Sequence, residues 1–201
     1  MGKYNNLFFK RFGIRSSFTY LPELVVCKED LTAFTRAWKK KYHARLNKDL
    51  SPTRKKQFDR FFKKLDKLGD DALFCEKIKI KHIDKHIGYG VFAKEDIPPY
   101  AILNQYTGVI RKDTKQDDAN DSVFAISCLD HFSIDGKEQG NWTRFMNHSC
   151  ENPNVAVWEY FRPDGPRIVF TAGSKGIKKG EELLYSYGED YWVEEVDYSH
   201  G

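Results

Sequence analysis

Between residues 31 and 46, apolar side chains recur at three- and four-residue steps: Leu31, Phe34, Trp38, Tyr42 and Leu46. That spacing gathers them on one stripe of an α-helix, and Asp30 is placed to cap its start. A second stripe holds Phe58, Phe61, Phe62, Leu65 and Leu68. It follows Ser51-Pro52, a hydroxyl N-cap with proline at the first helical position, and stops before Gly69. Together they predict an α-helical hairpin docked through aromatic contacts, with Lys and Arg outward. The rings read as core rather than as a platform for stacking bases. After Asp70-Asp71 the period changes to two. Ile78 and Ile80 alternate with Lys77, Lys79 and Lys81, as in a half-buried strand. Short apolar runs follow at residues 90–93, 101–110, 123–129, 154–161 and 167–172, each bounded by Gly, Pro, Asp or Asn, and predict many short strands. The βαβ alternation of a nucleotide-binding parallel sheet is absent. The predicted class is therefore α+β, mostly β, with the change of character at residues 70–76.

Composition narrows this further. The chain has 201 residues, 40% of them hydrophobic, 15% aromatic and 31% charged. These values suit one domain, or one domain with an added segment, and exclude a disordered or collagen-like chain. No run of about 18 apolar residues occurs, so no membrane span is expected. The first residues lack the pattern of a secretory signal, which leaves unusual export routes open. Cys27, Cys75, Cys128 and Cys150 are widely spaced, with no C-x-x-C pair. They read as reduced thiols of an intracellular protein, with no metal site.

Charge is unevenly placed. The net charge is +4, yet residues 36–67 carry 13 Lys and Arg against three Asp, leaving the rest of the chain at −6. A basic segment of this kind either attracts nucleic acid or acidic proteins or is a solvated helix surface.

Three segments carry unusual chemistry. Gly88-Tyr89-Gly90 sits between strand-like runs; two glycines let a backbone approach a ligand closely, or simply make a turn. The stretch Arg144-Phe145-Met146-Asn147-His148-Ser149-Cys150 concentrates hydrogen-bonding groups. His148 and Cys150 lack the third orienting group of a thiol nucleophile, and a polar loop folded back on itself suits the composition. Finally, Tyr185 and Tyr187 point to one side of an extended chain. They either line an aromatic channel with hydroxyls at its end or pack at a strand end.

Taken in order, Gly88-Tyr89-Gly90-Val91-Phe92-Ala93, Tyr106-Thr107-Gly108, Gly140-Asn141 leading into residues 144–150, and Gly180-Glu181-Glu182-Leu183-Leu184-Tyr185-Ser186-Tyr187-Gly188 resemble the SET domain of protein lysine methyltransferases. The resemblance covers about residues 76–192. It implies a domain of small curved β-sheets with a pseudoknot, in which residues 147–150 pass beneath the loop carrying Tyr187. The expected organisation is residues 1–75 as a basic helical region, 76–192 as the SET domain and 193–201 as a C-terminal tail.

The resemblance also implies an activity: transfer of a methyl group from S-adenosylmethionine to lysine of a histone or histone-like basic protein. The backbone of Gly88, Tyr89 and Gly90 would hold the cofactor's methionine part, and Asn147 and His148 its adenosine part. Phe124 would flank it. Tyr187 would supply the essential hydroxyl at the transfer centre and Tyr106 would orient the amine. Tyr185, at a position that is Phe or Tyr in the family, would tune the methylation state toward mono- or dimethylation. Trp192 would close the substrate channel. The alternatives are a catalytically silent SET module and a basic protein binding nucleic acid through residues 36–67.

Three departures stand out. Ser186 replaces a common Asp. No Cys follows Gly188, so the zinc-bound segment of several subfamilies is missing. No cysteine cluster precedes the domain. The pattern is similar to the small stand-alone SET proteins of bacteria and viruses. It implies a place in the cytoplasm or nucleoid, or in a host nucleus for an exported effector.

Overall fold

The computed structural model describes residues 12, 18–46, 60, 61, 63, 76–114 and 122–186. Strands dominate, in the order β1 (Thr19–Tyr20), β2 (Val25–Val26), helix α1 (Leu31–Leu46), β3 (Ile78–His82), β4 (Tyr89–Ala93), β5 (Ile102–Tyr106) and β6 (Val109–Lys112). There follow β7 (Val123–Ala125), β8 (Phe132–Asp135), β9 (Gln139–Gly140), a 3-10 turn (Trp142–Phe145), β10 (Asn147–His148), β11 (Val155–Arg162), β12 (Gly165–Ala172) and β13 (Leu184–Tyr185). They build small sheets: β2-β6-β8-β7, β11-β12-β5, and the pairs β3-β4, β1-β9 and β10-β13. Among the described residues no helix is long and apolar enough to cross a membrane.

The mostly β class and the leading helix are as the hydrophobic pattern predicts. The strand runs shift in detail. The apolar run 101–110 is divided: Thr107 and Gly108 separate β5 from β6, and a side chain at Gly108 would strike the Asp135 carbonyl. The run 123–129 keeps strand only over β7, and the chain turns back through β8. Thr19–Tyr20 and Val25–Val26, in a region read as helical, pair in parallel with β9 and β6. Two residues are too few to show a period of two, so the hydrophobic pattern could not reveal them.

Helix α1 docks by the stripe that predicts it, with one correction. Phe34 and Trp38 are buried, whereas Leu31 is 51% exposed. Trp38 stacks on Phe161 with ring centroids 5.6 Å apart, and its indole donates to the Arg162 carbonyl at 2.8 Å. Phe34 meets Phe132 edge-on. Arg36, Lys39, Lys40 and Lys41 face outward. Asp30 does not spend its carboxylate as a cap. It accepts the Lys112 backbone N–H at 2.9 Å and pairs with the Lys112 ammonium, tying the helix start to β6. The second predicted helix lies largely outside the described residues; of it, Phe61 packs on Tyr160 at 4.7 Å.

A buried indole that also satisfies a carbonyl anchors the whole helix. Trp38→Ala is expected to cost about 3–5 kcal/mol, read as a lowered midpoint in urea unfolding. A loss below about 1 kcal/mol would mean that α1 opens independently of the sheets.

Candidate active site

The site begins at the β3–β4 hairpin. Ile83 and Gly88 close it, with Ile83 N–H donating to the Gly88 carbonyl at 2.8 Å. Asp84 organises the turn by accepting the Ile87 and His86 backbone N–H groups. Those bonds hold its carboxyl below the usual carboxylate range. The stabilisation they give is present above the unfolded pKa of Asp84 and is lost as pH falls through the lowered folded one. Gly88 has φ +78°, the left-handed region that favours glycine.

Gly90 is required for a different reason. A Cβ there would run into the Glu182 carboxylate, stand 2.7 Å from Ile83 Cδ1 and lie 3.1 Å from Asn147 Nδ2. Three distant segments therefore converge on a bare stretch of backbone. Asn147 binds them together: its Nδ2 donates to the Tyr89 carbonyl at 3.1 Å and to Glu182 Oε1 at 2.7 Å. Both amide hydrogens are spent inside the protein, which fixes the amide's orientation. Its Oδ1 is then the atom that can accept from a ligand.

β10 and β13 run in parallel, with Asn147 opposite Leu184 and His148 opposite Tyr185. Asn154 completes the crossing. Its Nδ2 donates to the Glu182 carbonyl, its Oδ1 accepts the Leu184 N–H, and its own N–H reaches the Leu184 carbonyl. The Asn-His-Ser-Cys segment is thus laced to the strand just before Tyr187, as the expected pseudoknot requires. A buried Asn141 prepares the entry to it, capping the 3-10 turn by accepting from Thr143 and donating to the Gln105 carbonyl at 2.8 Å.

Beside this junction lies a cluster of rings. Phe124 is 4.6 Å from Tyr106 and 5.8 Å from Tyr185, and Phe170 is 5.0 Å from Tyr185 and 6.3 Å from Tyr106. Tyr106 and Tyr185 are 1% and 3% exposed. The Tyr106 hydroxyl donates to the Ser122 carbonyl at 2.5 Å. Its oxygen therefore offers lone pairs rather than a proton to anything beside it. Gly136 lies against that phenol, where a Cβ would collide with it.

The residues singled out from sequence thus fall into two groups. Gly88, Gly90, the Tyr89 carbonyl and Asn147 form the cradle; Tyr106, Phe124 and Tyr185 form the ring cluster. The Tyr89 ring turns away to His82 and Phe145. His148 is exposed and joins the site through its pairing with Tyr185. Tyr187 and Trp192 lie outside the described residues. Phe170, Glu182, Asn154 and Gly136 were not assigned roles from sequence. Glu182 lies inside the segment 180–188, whereas Phe170 has the pattern of any residue of an apolar run. Among the described residues no group of three His, Cys, Asp or Glu is placed to hold a metal.

The sequence is similar to known histone-lysine N-methyltransferases over about half of its length. The chain is 32% identical to the human "Histone-lysine N-methyltransferase EHMT1" over 117 residues, which is 54% of this chain and 9% of that protein. It is 32% identical to the Arabidopsis thaliana "Histone-lysine N-methyltransferase ASHR3" over 120 residues, 56% of this chain and 24% of that protein. The chain therefore spans only a minor part of these relatives. Among solved structures, KRYPTONITE in complex with mCHH DNA, an H3(1-15) peptide and SAH aligns with TM-score 0.46 and 33% identity, covering 55% of this chain and 23% of that one. The family model described as "SET domain" matches residues 88–188, just over half of the chain, and takes in both the cradle and the rings. The chain belongs to the SET domain family.

Proposed function

We propose that the protein is an S-adenosylmethionine-dependent protein-lysine N-methyltransferase acting on a histone or histone-like basic protein. The observation that carries this reading is the cluster of Tyr106, Phe124, Phe170 and Tyr185 joined through β10 and β13 to the cradle of Gly90, Asn147 and Glu182. Family membership and relatives named as histone-lysine N-methyltransferases support the reaction class.

The cradle fits a donor that is part amino acid and part nucleoside. Gly90 lets Glu182 and Asn147 approach the backbone closely, and Asn147, held by both amide hydrogens, presents one oriented amide oxygen. Gly88, Tyr89 and Gly90 would hold the methionine part, and Asn147 and His148 the adenosine part. Phe124, between the two tyrosines, would face both donor and substrate. S-adenosylmethionine supplies, when bound, a methyl group on a cationic sulfonium.

The chain's own residues do the rest. Buried rings desolvate the substrate amine and lower its pKa, so it enters as the neutral nucleophile. Their faces still attract cationic and polarised CH groups. A narrow passage walled by these rings would restrict the amine to in-line approach. Tyr106, its hydrogen bound to Ser122, would accept from the amine N–H and orient it. Tyr187 would hold the hydroxyl at the transfer centre, Tyr185 would limit the number of methyl groups, and Trp192 would close the channel. Residues 1–75 would serve as a scaffold with a basic docking segment at 36–67, and 193–201 as a tail. The setting would be intracellular, in the cytoplasm or nucleoid, or in a host nucleus for an exported effector.

The test is incubation with labelled S-adenosylmethionine and mixed histones or basic nucleoid proteins, with sites mapped by mass spectrometry. Wild type is expected to give mono- and dimethyl-lysine. Tyr187→Phe should slow transfer about a hundredfold, and Tyr185→Phe should move the products toward trimethyl-lysine. Absence of label together with absence of cofactor binding in calorimetry would overturn the reading.

A further inference from the structure

The face of the β3–β4 hairpin that carries Gly90 and Phe92 is also basic. Ile78 and Ile80 turn into the core at 0% and 8% exposure, so the alternation puts Lys79 and Lys81 together on the opposite face. Across the ladder they face Phe92 and Gly90. The Lys81 ammonium lies 4.8 Å from the Phe92 ring centroid. The segment before β13 brings another amine to the same hairpin. Gly180 N–H donates to the Ala93 carbonyl, and Ala93 N–H to the Glu181 carbonyl, which sets Lys179 beside β4.

Each neighbouring carboxylate has another partner, the exposed Glu181 accepting the Lys178 backbone N–H at 2.7 Å. Glu95 pairs with Lys77 at 3.0 Å and Asp96 with Lys178 at 2.9 Å. Glu182, next to Phe92, is turned to Asn147. Among the described residues no carboxylate pairs with Lys79, Lys81 or Lys179. The proton affinity of Lys79 is lowered, first by a side-chain hydrogen bond with Lys81 and by the charge of Lys81, then by burial, and least by the charges of Lys179 and Lys94.

The geometry points to this β3–β4 lysine face as a docking surface for the phosphate backbone of duplex nucleic acid. Its amines come from two separate chain segments, so they suit a continuous line of anions rather than one small ion. Duplex DNA offers such a line, at about one charge per 1.7 Å of axis. Lysine ammoniums act as point charges toward phosphate, and no Arg fork of the kind that matches planar carboxylates belongs to the patch. The surface is distinct from the basic segment 36–67.

The test is a fluorescence-anisotropy titration of the full chain with a short labelled DNA duplex over a range of salt concentrations. The variants are the triple Lys79→Gln/Lys81→Gln/Lys179→Gln and, for comparison, Arg36→Gln/Lys39→Gln/Lys40→Gln on α1. The first triple is expected to weaken binding at least about tenfold and to reduce the salt slope by about 3, one counterion for each lysine. The α1 triple should have the smaller effect, and both should keep the wild-type melting temperature. Wild-type affinity and slope in the first triple would overturn the assignment, whether α1 carries the binding or the chain binds no nucleic acid. So would a polyglutamate competitor that binds more tightly than the duplex, since the face would then serve acidic proteins. The assay needs neither methyl donor nor turnover, so its outcome is independent of the proposed activity.

Discussion

Gly90→Ala is expected to lower the affinity for S-adenosylmethionine by about tenfold to a hundredfold, with a stability loss of about 1–3 kcal/mol. One methyl group does this because the space it needs is held by side chains that also position Asn147. It would run into the Glu182 carboxylate and crowd Ile83 and Asn147. Relief requires the Glu182 carboxylate and the Ile83 δ-methyl to shift, and moving the carboxylate breaks its bond to Asn147 Nδ2. The amide that presents Oδ1 then loses its fixed orientation. Calorimetric titration with the cofactor measures the affinity, and thermal unfolding the stability. Glu182→Leu provides an independent comparison: it frees one amide hydrogen without adding bulk at Gly90, and should weaken cofactor binding while Glu182→Gln restores most of it. Unchanged affinity in Gly90→Ala would place the cofactor elsewhere.

The second large effect concerns the rings. Gly136→Ala should slow methyl transfer about a hundredfold while leaving cofactor affinity within about a factor of two, because misplacement of an orienting group by a fraction of an ångström acts on the transfer step. The added Cβ would displace the Tyr106 phenol, whose hydroxyl is held on the Ser122 carbonyl. Tyr106→Phe removes the hydroxyl without moving the ring. It should reproduce much of the rate loss at a stability cost of about 1 kcal/mol. Single-turnover rates and calorimetry separate the two steps. If cofactor affinity fell in parallel with rate, Tyr106 would belong to the cradle rather than to the substrate wall.

These positions show what was legible in the chain and what was not. The order of the glycine pair, the Asn147–Cys150 segment and the Tyr185–Tyr187 segment carries the resemblance to the SET domain, and at Gly90 and Asn147 the close packing explains the residue type. The Phe34–Trp38 stripe was visible because helical spacing is a local signal. Phe170 was hidden because β12 is buried on both faces, so neither face of that strand is marked out by polarity. Asp30 looked like a cap, since no local pattern reveals Lys112 as its partner. Gly136 looked like any turn glycine. Its role depends on a phenol thirty positions earlier, and only the packed structure brings the two together.

The parallel pairing of Asn147–His148 with Leu184–Tyr185 also constrains when the protein can become competent. A nascent chain that has emerged only through β12 has its sheets β11-β12-β5 and β2-β6-β8-β7 available but no partner for β10. Late arrival of that partner, and the long loop it must close, make this the slow, topologically demanding step of folding. A released chain truncated before Leu184 would therefore carry the strands of both larger sheets and still lack the crossing of β10 with β13.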